Sequence, residues 1–230
     1  MRISRSSFLG AAAASALGGV LAPGGALAAG APKGPAMSAQ DALNRLLAGN
    51  ARYVSGKTIH GDHTARRDEV SAGQHPFAMI LSCADSRVPA ELIFDQSLGD
   101  LFVVRLAGNF VEEEGIGSFE YAQLNFSPSV LMILGHSACG AIQATVDALK
   151  HPGTKAPGKI GLIVDALMPA AKAVQGKPGD EYANATAENV RLNVAKLKAQ
   201  KPILAEAVAS GKLHLVGAVY DLKTGHVNLV

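Results

Sequence analysis

The chain has 230 residues, 48% of them hydrophobic and 17% charged, which is enough apolar content for one sizeable core. Its formal charge is +2 and it has no basic run, so it lacks the electrostatic footprint of a nucleic-acid binder. No internal repeat at solenoid periods is visible.

The N-terminus reads as a targeting segment. Arg2 and Arg5 precede the apolar, small-residue run "FLGAAAASALGGVLAPGGALA", and Ala26-Leu27-Ala28 fits a small-x-small cleavage site, so residues 1–28 are expected to be a cleaved export signal. The run is too short, and too broken by glycine and Pro23, for a stable membrane span of about 20 apolar residues. "SRSSFLG" resembles the twin-arginine export pattern, with Ser6 standing where the second arginine belongs. Removing Arg2 and Arg5 leaves 19 basic residues against 19 acidic ones, so the mature protein is expected to be neutral, soluble and periplasmic or secreted. Residues 29–37, "AGAPKGPAM", form a linker, and 38–230 are expected to be a single domain.

Ser38 then reads as a helix N-cap with Asp41 at N3, followed by Leu43, Leu46, Leu47 and Tyr53 at helical spacing. "FAMILSC" (77–83), "DLFVVRLAG" (100–108), "SVLMILGH" (129–136) and "KLHLVGAVYD" (212–221) are apolar runs of the kind buried on both faces of a parallel sheet. "HVNLV" (226–230) follows the turn residues Thr224-Gly225 closely enough to pair antiparallel with the run before it. Helical patterns at 117–126, 139–150, 160–174 and 186–199 separate the runs. The order predicts an α/β fold with a mostly parallel central sheet, four parallel strands plus a C-terminal antiparallel one, flanked by helices. In such sheets ligands bind beyond the carboxyl ends of strands. That rule directs attention to Cys83 and His136, which end the first and third runs.

The chain has two cysteines, and in an exported protein the first reading of Cys83 and Cys139 is a disulfide. Their surroundings suggest another. Cys83, Asp85 and Arg87 alternate in "SCADSRVP" and project to one side of an extended segment. Cys139 follows the Gly-His turn of "GHSACG" at an expected helix start, where thiolate is favoured over thiol. Two thiolates and an imidazole suit zinc, and a Cys₂His set leaves one position for water, as catalytic sites do. Asp85 could fill that position, or Arg87 could hold it off the metal through two parallel hydrogen bonds. Taken singly, Asp85-Arg87 could be a surface ion pair, and H-x-x-C is a weak pattern. The two segments together are far more specific.

"CADSRV" and "GHSACGA" are similar to the two motif segments of β-class carbonic anhydrases, and the likeness runs through "PFAMILSCADSRVPAELIFDQSLGDLFVVRLAGN" to cover about 38–230. The resemblance implies zinc held by Cys83, His136 and Cys139, with water or Asp85 as fourth ligand and Arg87 pairing with Asp85. Gln74, nine residues before Cys83, is placed where plant-type, open-site members carry a substrate-binding glutamine. Phe102, Tyr121 and Gly140 are placed in the substrate pocket. The resemblance further implies a homodimer or higher even oligomer whose partner subunit helps wall each pocket, with a helical arm around 38–54 wrapping the neighbour.

The implied reaction is reversible hydration of carbon dioxide to bicarbonate and a proton by attack of zinc-bound hydroxide, with Asp85 and Arg87 orienting the nucleophile. His60, His63 and His75 are proton-shuttle candidates by their ordinary pKa, or plain surface histidines. The alternatives are a related zinc hydrolase of carbonyl sulfide or carbon disulfide, a non-catalytic zinc protein closed by Asp85, and a metal-free disulfide.

Overall fold

The computed structural model describes residues 37–153 and 156–230; the expected export segment and all of the linker but Met37 lie outside the described residues. The elements in chain order are α1 (Ala39–Val54), α2 (Thr64–Val70), β1 (Ala78–Ser82), α3 (Ala90–Ile93), β2 (Leu101–Arg105), α4 (Glu113–Phe126), β3 (Val130–His136), α5 (Gly140–Lys150), α6 (Ile160–Val174), α7 (Glu181–Lys198), α8 (Ile203–Ala209), β4 (His214–Tyr220) and β5 (Val227–Leu229). The five strands form one sheet in the order β2-β1-β3-β4-β5, parallel throughout except for the antiparallel β4–β5 pair. This is the expected α/β architecture, with the strand polarity read from the sequence.

Period-two alternation explains why β1 and β3 read as unbroken apolar runs. Ala78, Ile80, Val130, Met132 and Leu134 belong to the core on one face, with Leu46 of α1 and Ile93 of α3. Met79, Leu81, Leu131 and Ile133 belong to the core on the other, with Phe119 of α4, Val190 and Leu197 of α7 and Leu204 of α8. Both strands are therefore without polar residues until their last, Ser82 and His136, because both faces are covered. Gly135 marks a close approach of α7: a Cβ there would come within 2.8 Å of Val190 Cγ2. Helix α1 begins as read, with Ser38 Oγ accepting the Asp41 amide at 3.1 Å.

Three helices were not visible in the sequence. α2, α3 and α8 have 7, 4 and 7 residues, too few turns to establish a period of 3.6. β2 stops at Arg105, short of the expected run to Gly108, because Gly108 and Asn109 take φ of 87° and 42° and turn the chain away from the sheet. α7 begins earlier than expected, at Glu181, with Asp180 Oδ1 accepting the Ala183 amide at 2.9 Å. Among the described residues, no helix is long and apolar enough to cross a membrane.

Parallel register places the candidate site. Ser82, the last residue of β1, lies opposite both Arg105 of β2 and Leu134 of β3. Cys83 and His136 therefore leave the sheet side by side at its carboxyl edge.

Candidate metal centre and active site

Cys83 follows β1, His136 ends β3, and Cys139 is the N-cap residue just before α5. All three are buried, at 4%, 0% and 3% exposure. One ligand atom from each lies within 4.8 Å of the other two. Residues separated by more than fifty positions in the sequence thus meet because two neighbouring strands end together.

The cysteines are free rather than bridged. Cys83 Sγ accepts the Gly108 amide at 3.2 Å and the Asp85 amide at 3.4 Å. A shared hydrogen bond with Cys139 is the largest influence on Cys83 and favours its thiolate; burial opposes it, and the Gly108 and Asp85 amides add to it. The same sharing, with burial, pushes Cys139 up. The pair therefore gives up one proton readily and retains the second until a cation replaces it.

His136 Nδ1 lies 2.9 Å from the Ser137 carbonyl oxygen, which can only accept, so Nδ1 carries the proton. In the neutral ring that leaves Nε2 as an acceptor, and it is buried with no hydrogen-bond partner among the described residues. A buried acceptor costs free energy when unmatched. A divalent ion shared with the two sulfurs would satisfy it, and the Nδ1 bond to the Ser137 carbonyl would orient the ring toward that ion. The donor set of two thiolates and one imidazole suits zinc.

Asp85 stands next to this cluster, with Oδ2 4.0 Å from His136 Nε2. Arg87 grips its carboxylate with both prongs: Nε donates to Oδ1 at 2.9 Å, Nη2 to Oδ2 at 2.7 Å, and the Arg87 amide to Oδ1 at 2.9 Å. The Arg87 hydrogen bonds hold the Asp85 carboxyl well below the usual carboxylate range, against a smaller opposing effect of burial. Asp85 is thus held by Arg87 beside the cluster and outside the group of three.

Arg105 was missed in the sequence. Its Nε donates to the Cys83 carbonyl at 3.0 Å and its Nη2 to the Asp85 carbonyl at 2.6 Å, pinning the segment that carries both residues. The available signal was a lone charge inside the apolar run "LFVVRLAG". Gly108 could not be assigned in advance, because its contribution is a backbone amide. A Cβ on Gly108 would lie 2.7 Å from Leu167 Cδ1 and 3.2 Å from Ala141 Cβ. The sulfurs belong to an apolar cluster with Phe110, Ile142, Val146 and Leu167.

The expected pocket residues divide into two groups. Gly140 opens α5 directly after Cys139. Gln74, Phe102 and Tyr121 are not brought to the metal ligands of their own chain. Gln74 is exposed and precedes β1 at the amino edge of the sheet, the edge opposite Cys83. Phe102 pairs with Met79, four residues before Cys83, or about 13 Å along the strand. Tyr121, 42% exposed on α4, packs edge-on against Phe126 at 5.9 Å between ring centroids, and Phe126 packs against Phe102 at 6.3 Å. His60 and His63 are tied to Asp95 and Ser97, in the loop leading into the amino end of β2, at 3.2 Å each. His75 precedes β1.

A carbonic anhydrase family model matches residues 78–227. The chain is 37% identical over 193 residues to the carbonic anhydrase of Mycolicibacterium smegmatis, covering 82% of this chain and 91% of that one. It is 36% identical over 189 residues to carbonic anhydrase 2 of Mycobacterium tuberculosis, with the same coverage of 82% and 91%. Among solved structures, the β-carbonic anhydrase CcaA superposes with a TM-score of 0.62 at 27% identity, covering 81% of this chain and 94% of that one.

Proposed function

The chain belongs to the carbonic anhydrase family, in its β class, and from that premise we propose that it hydrates carbon dioxide at a zinc ion held by Cys83, His136 and Cys139, with the remaining position left to water. The observation that carries this reading is His136 Nε2, buried without a hydrogen-bond partner among the described residues and within 4.8 Å of two sulfurs.

A bound zinc supplies water acidic enough to yield a nucleophile at neutral pH. The chain's own residues supply the rest. Cys83 and Cys139 contribute negative charge from an apolar cluster that also suits a small apolar substrate. Asp85, ionised and locked by Arg87, accepts a hydrogen bond from the attacking oxygen and aims its lone pair at carbon. One water and one carbon dioxide give one bicarbonate and one proton. Asp85, beside the cluster and partly exposed to solvent, stays ionised against Arg87 and orients the water from which that proton leaves.

The position of Gln74, Phe102 and Tyr121 supports a homodimer. They lie at the far edge of the sheet from their own metal ligands, on a face where Tyr121 and Leu124 are 42% and 68% exposed. β2 is the free edge strand beside them. A second copy placed across this face would receive those three residues at its pocket and lend its own in return, as a twofold interface requires. The basic, apolar, small-residue sequence of 1–28 supports export with cleavage near Ala28, which N-terminal sequencing of the secreted or periplasmic protein tests.

Metal analysis of the purified protein, run with stopped-flow carbon dioxide hydration on wild type and Cys139→Ser, tests the central reading. One zinc per chain with hydration activity, both lost in Cys139→Ser, is the expected result. An active, metal-free wild type would overturn it.

A further inference from the structure

The loop carrying Gly108 takes two successive positive φ values, 87° at Gly108 and 42° at Asn109. Glycine adopts such a value freely and asparagine at small cost, so contacts decide which conformation the loop keeps. α7 imposes it with three side chains at i, i+4 and i+7 on one face. Asn189 Nδ2 donates to the Gly108 carbonyl at 2.9 Å. Asn193 Oδ1 accepts the Val111 amide at 3.0 Å. Lys196 Nζ donates to the Val111 carbonyl at 2.6 Å. Asn193 Nδ2 also reaches Asn189 Oδ1 at 3.0 Å, fixing which end of the Asn189 amide faces the loop.

Asn189 and Asn193 are buried at 2% and 6% exposure beside Val190, Val194 and Leu197. Burying two carboxamides in such a place is unfavourable unless each is fully bonded. Both are bonded, and the backbone they hold ends at the Gly108 amide, 3.2 Å from the Cys83 sulfur.

We propose that Asn189, oriented by Asn193 and assisted by Lys196, is a positioning residue that aims the Gly108 amide at the Cys83 thiolate and so sets the strength of that sulfur as a metal ligand. The inference rests on the metal-centre reading above. An amide aimed at a thiolate draws electron density from it and restrains it where the ion must find it. Without Asn189 the amide turns away, the sulfur becomes a stronger donor, and its placement is less sharp.

The test uses the full mature chain. Asn189→Asp keeps the side-chain shape and removes the donor. Zinc affinity is measured by chelator competition, and the sulfur-to-metal charge-transfer band is measured on the cobalt-substituted protein. Leu197→Ala, a core truncation on the same helix outside the loop contacts, serves as a stability control. Asn189→Asp is expected to weaken zinc binding by about 10- to 100-fold and to move the cobalt band to longer wavelength. Leu197→Ala, compared where both variants are fully folded, is expected to leave both unchanged. Lys196→Met, at an exposed position that should tolerate the change, is expected to weaken zinc binding by about threefold, below the loss from Asn189→Asp, because its bond lies one step further from Gly108.

An unmoved band with zinc affinity within about twofold of wild type overturns the proposal, as does an equal change in Leu197→Ala. If Asn189→Asp does not fold, Lys196→Met decides: no change in affinity overturns the proposal. A wild type that takes up neither metal overturns the metal-centre reading itself, a result distinct from wild-type uptake with an indifferent Asn189→Asp.

Discussion

Substituting Gly108 with alanine has a cost that can be built from the coordinates. The residue sits at φ 87°, where an L side chain adds about 1–2 kcal/mol of backbone strain. The new methyl would lie 2.7 Å from Leu167 Cδ1 and 3.2 Å from Ala141 Cβ, and overpacking of that kind costs about 1–3 kcal/mol. Gly108→Ala is therefore expected to destabilise the fold by about 2–5 kcal/mol, read from urea unfolding. Leu167→Ala alone leaves a cavity at a fully buried position and costs about 2–5 kcal/mol. In the double variant the alanine methyl occupies part of that cavity, so the two losses should fall short of their sum by about 1–3 kcal/mol. Zinc affinity should remain impaired in the double variant, since the φ strain still turns the amide from Cys83. Losses additive to within about 0.5 kcal/mol would refute the packing argument.

The shared-pocket arrangement predicts complementation. Mixing Cys139→Ser chains with Gln74→Ala chains, each inactive alone, should restore about a quarter of wild-type activity, because half of random dimers carry one intact site. Were Gln74 to serve its own chain, no mixed dimer would be active. Asp95→Asn should cost about 2 kcal/mol at pH 7. Burial works to raise the Asp95 carboxyl, but Arg52 and the Ile59 and His60 amides outweigh it and hold it below its ordinary value. The stabilisation is therefore complete above about pH 4 and is lost as pH falls through the lower folded value, where variant and wild-type unfolding curves should converge. Stripping zinc leaves two sulfurs within 4.8 Å of each other, so oxidant should lower the free-thiol count of the stripped protein and spare the loaded one.

The sheet and its metal-ready edge were legible because one physical cause wrote both. Strands covered on two faces must be apolar throughout, and the polar residue closing each run then stands out: Cys83 after "FAMILS", His136 after "VLMILG". What stayed hidden acts through the backbone or across the fold. The Gly108 amide leaves no side chain to read. Asn189 and Asn193 look like ordinary polar helix positions until the 108–111 loop is laid on them. Gln74 and Tyr121 could be named only by resemblance, since nothing local links them to an edge about a strand length away.

Two of the three side chains that would bind the metal stand at the ends of neighbouring strands, and the third on the residue that caps a helix. Amide exchange should accordingly be slowest around Cys83 and His136, beside the strand ladders, and faster in the first turn of α5, whose amides have no partner within the helix. Ion exchange in this protein would then run through a single mobile latch at Cys139, with the other two ligands waiting in place for the next occupant.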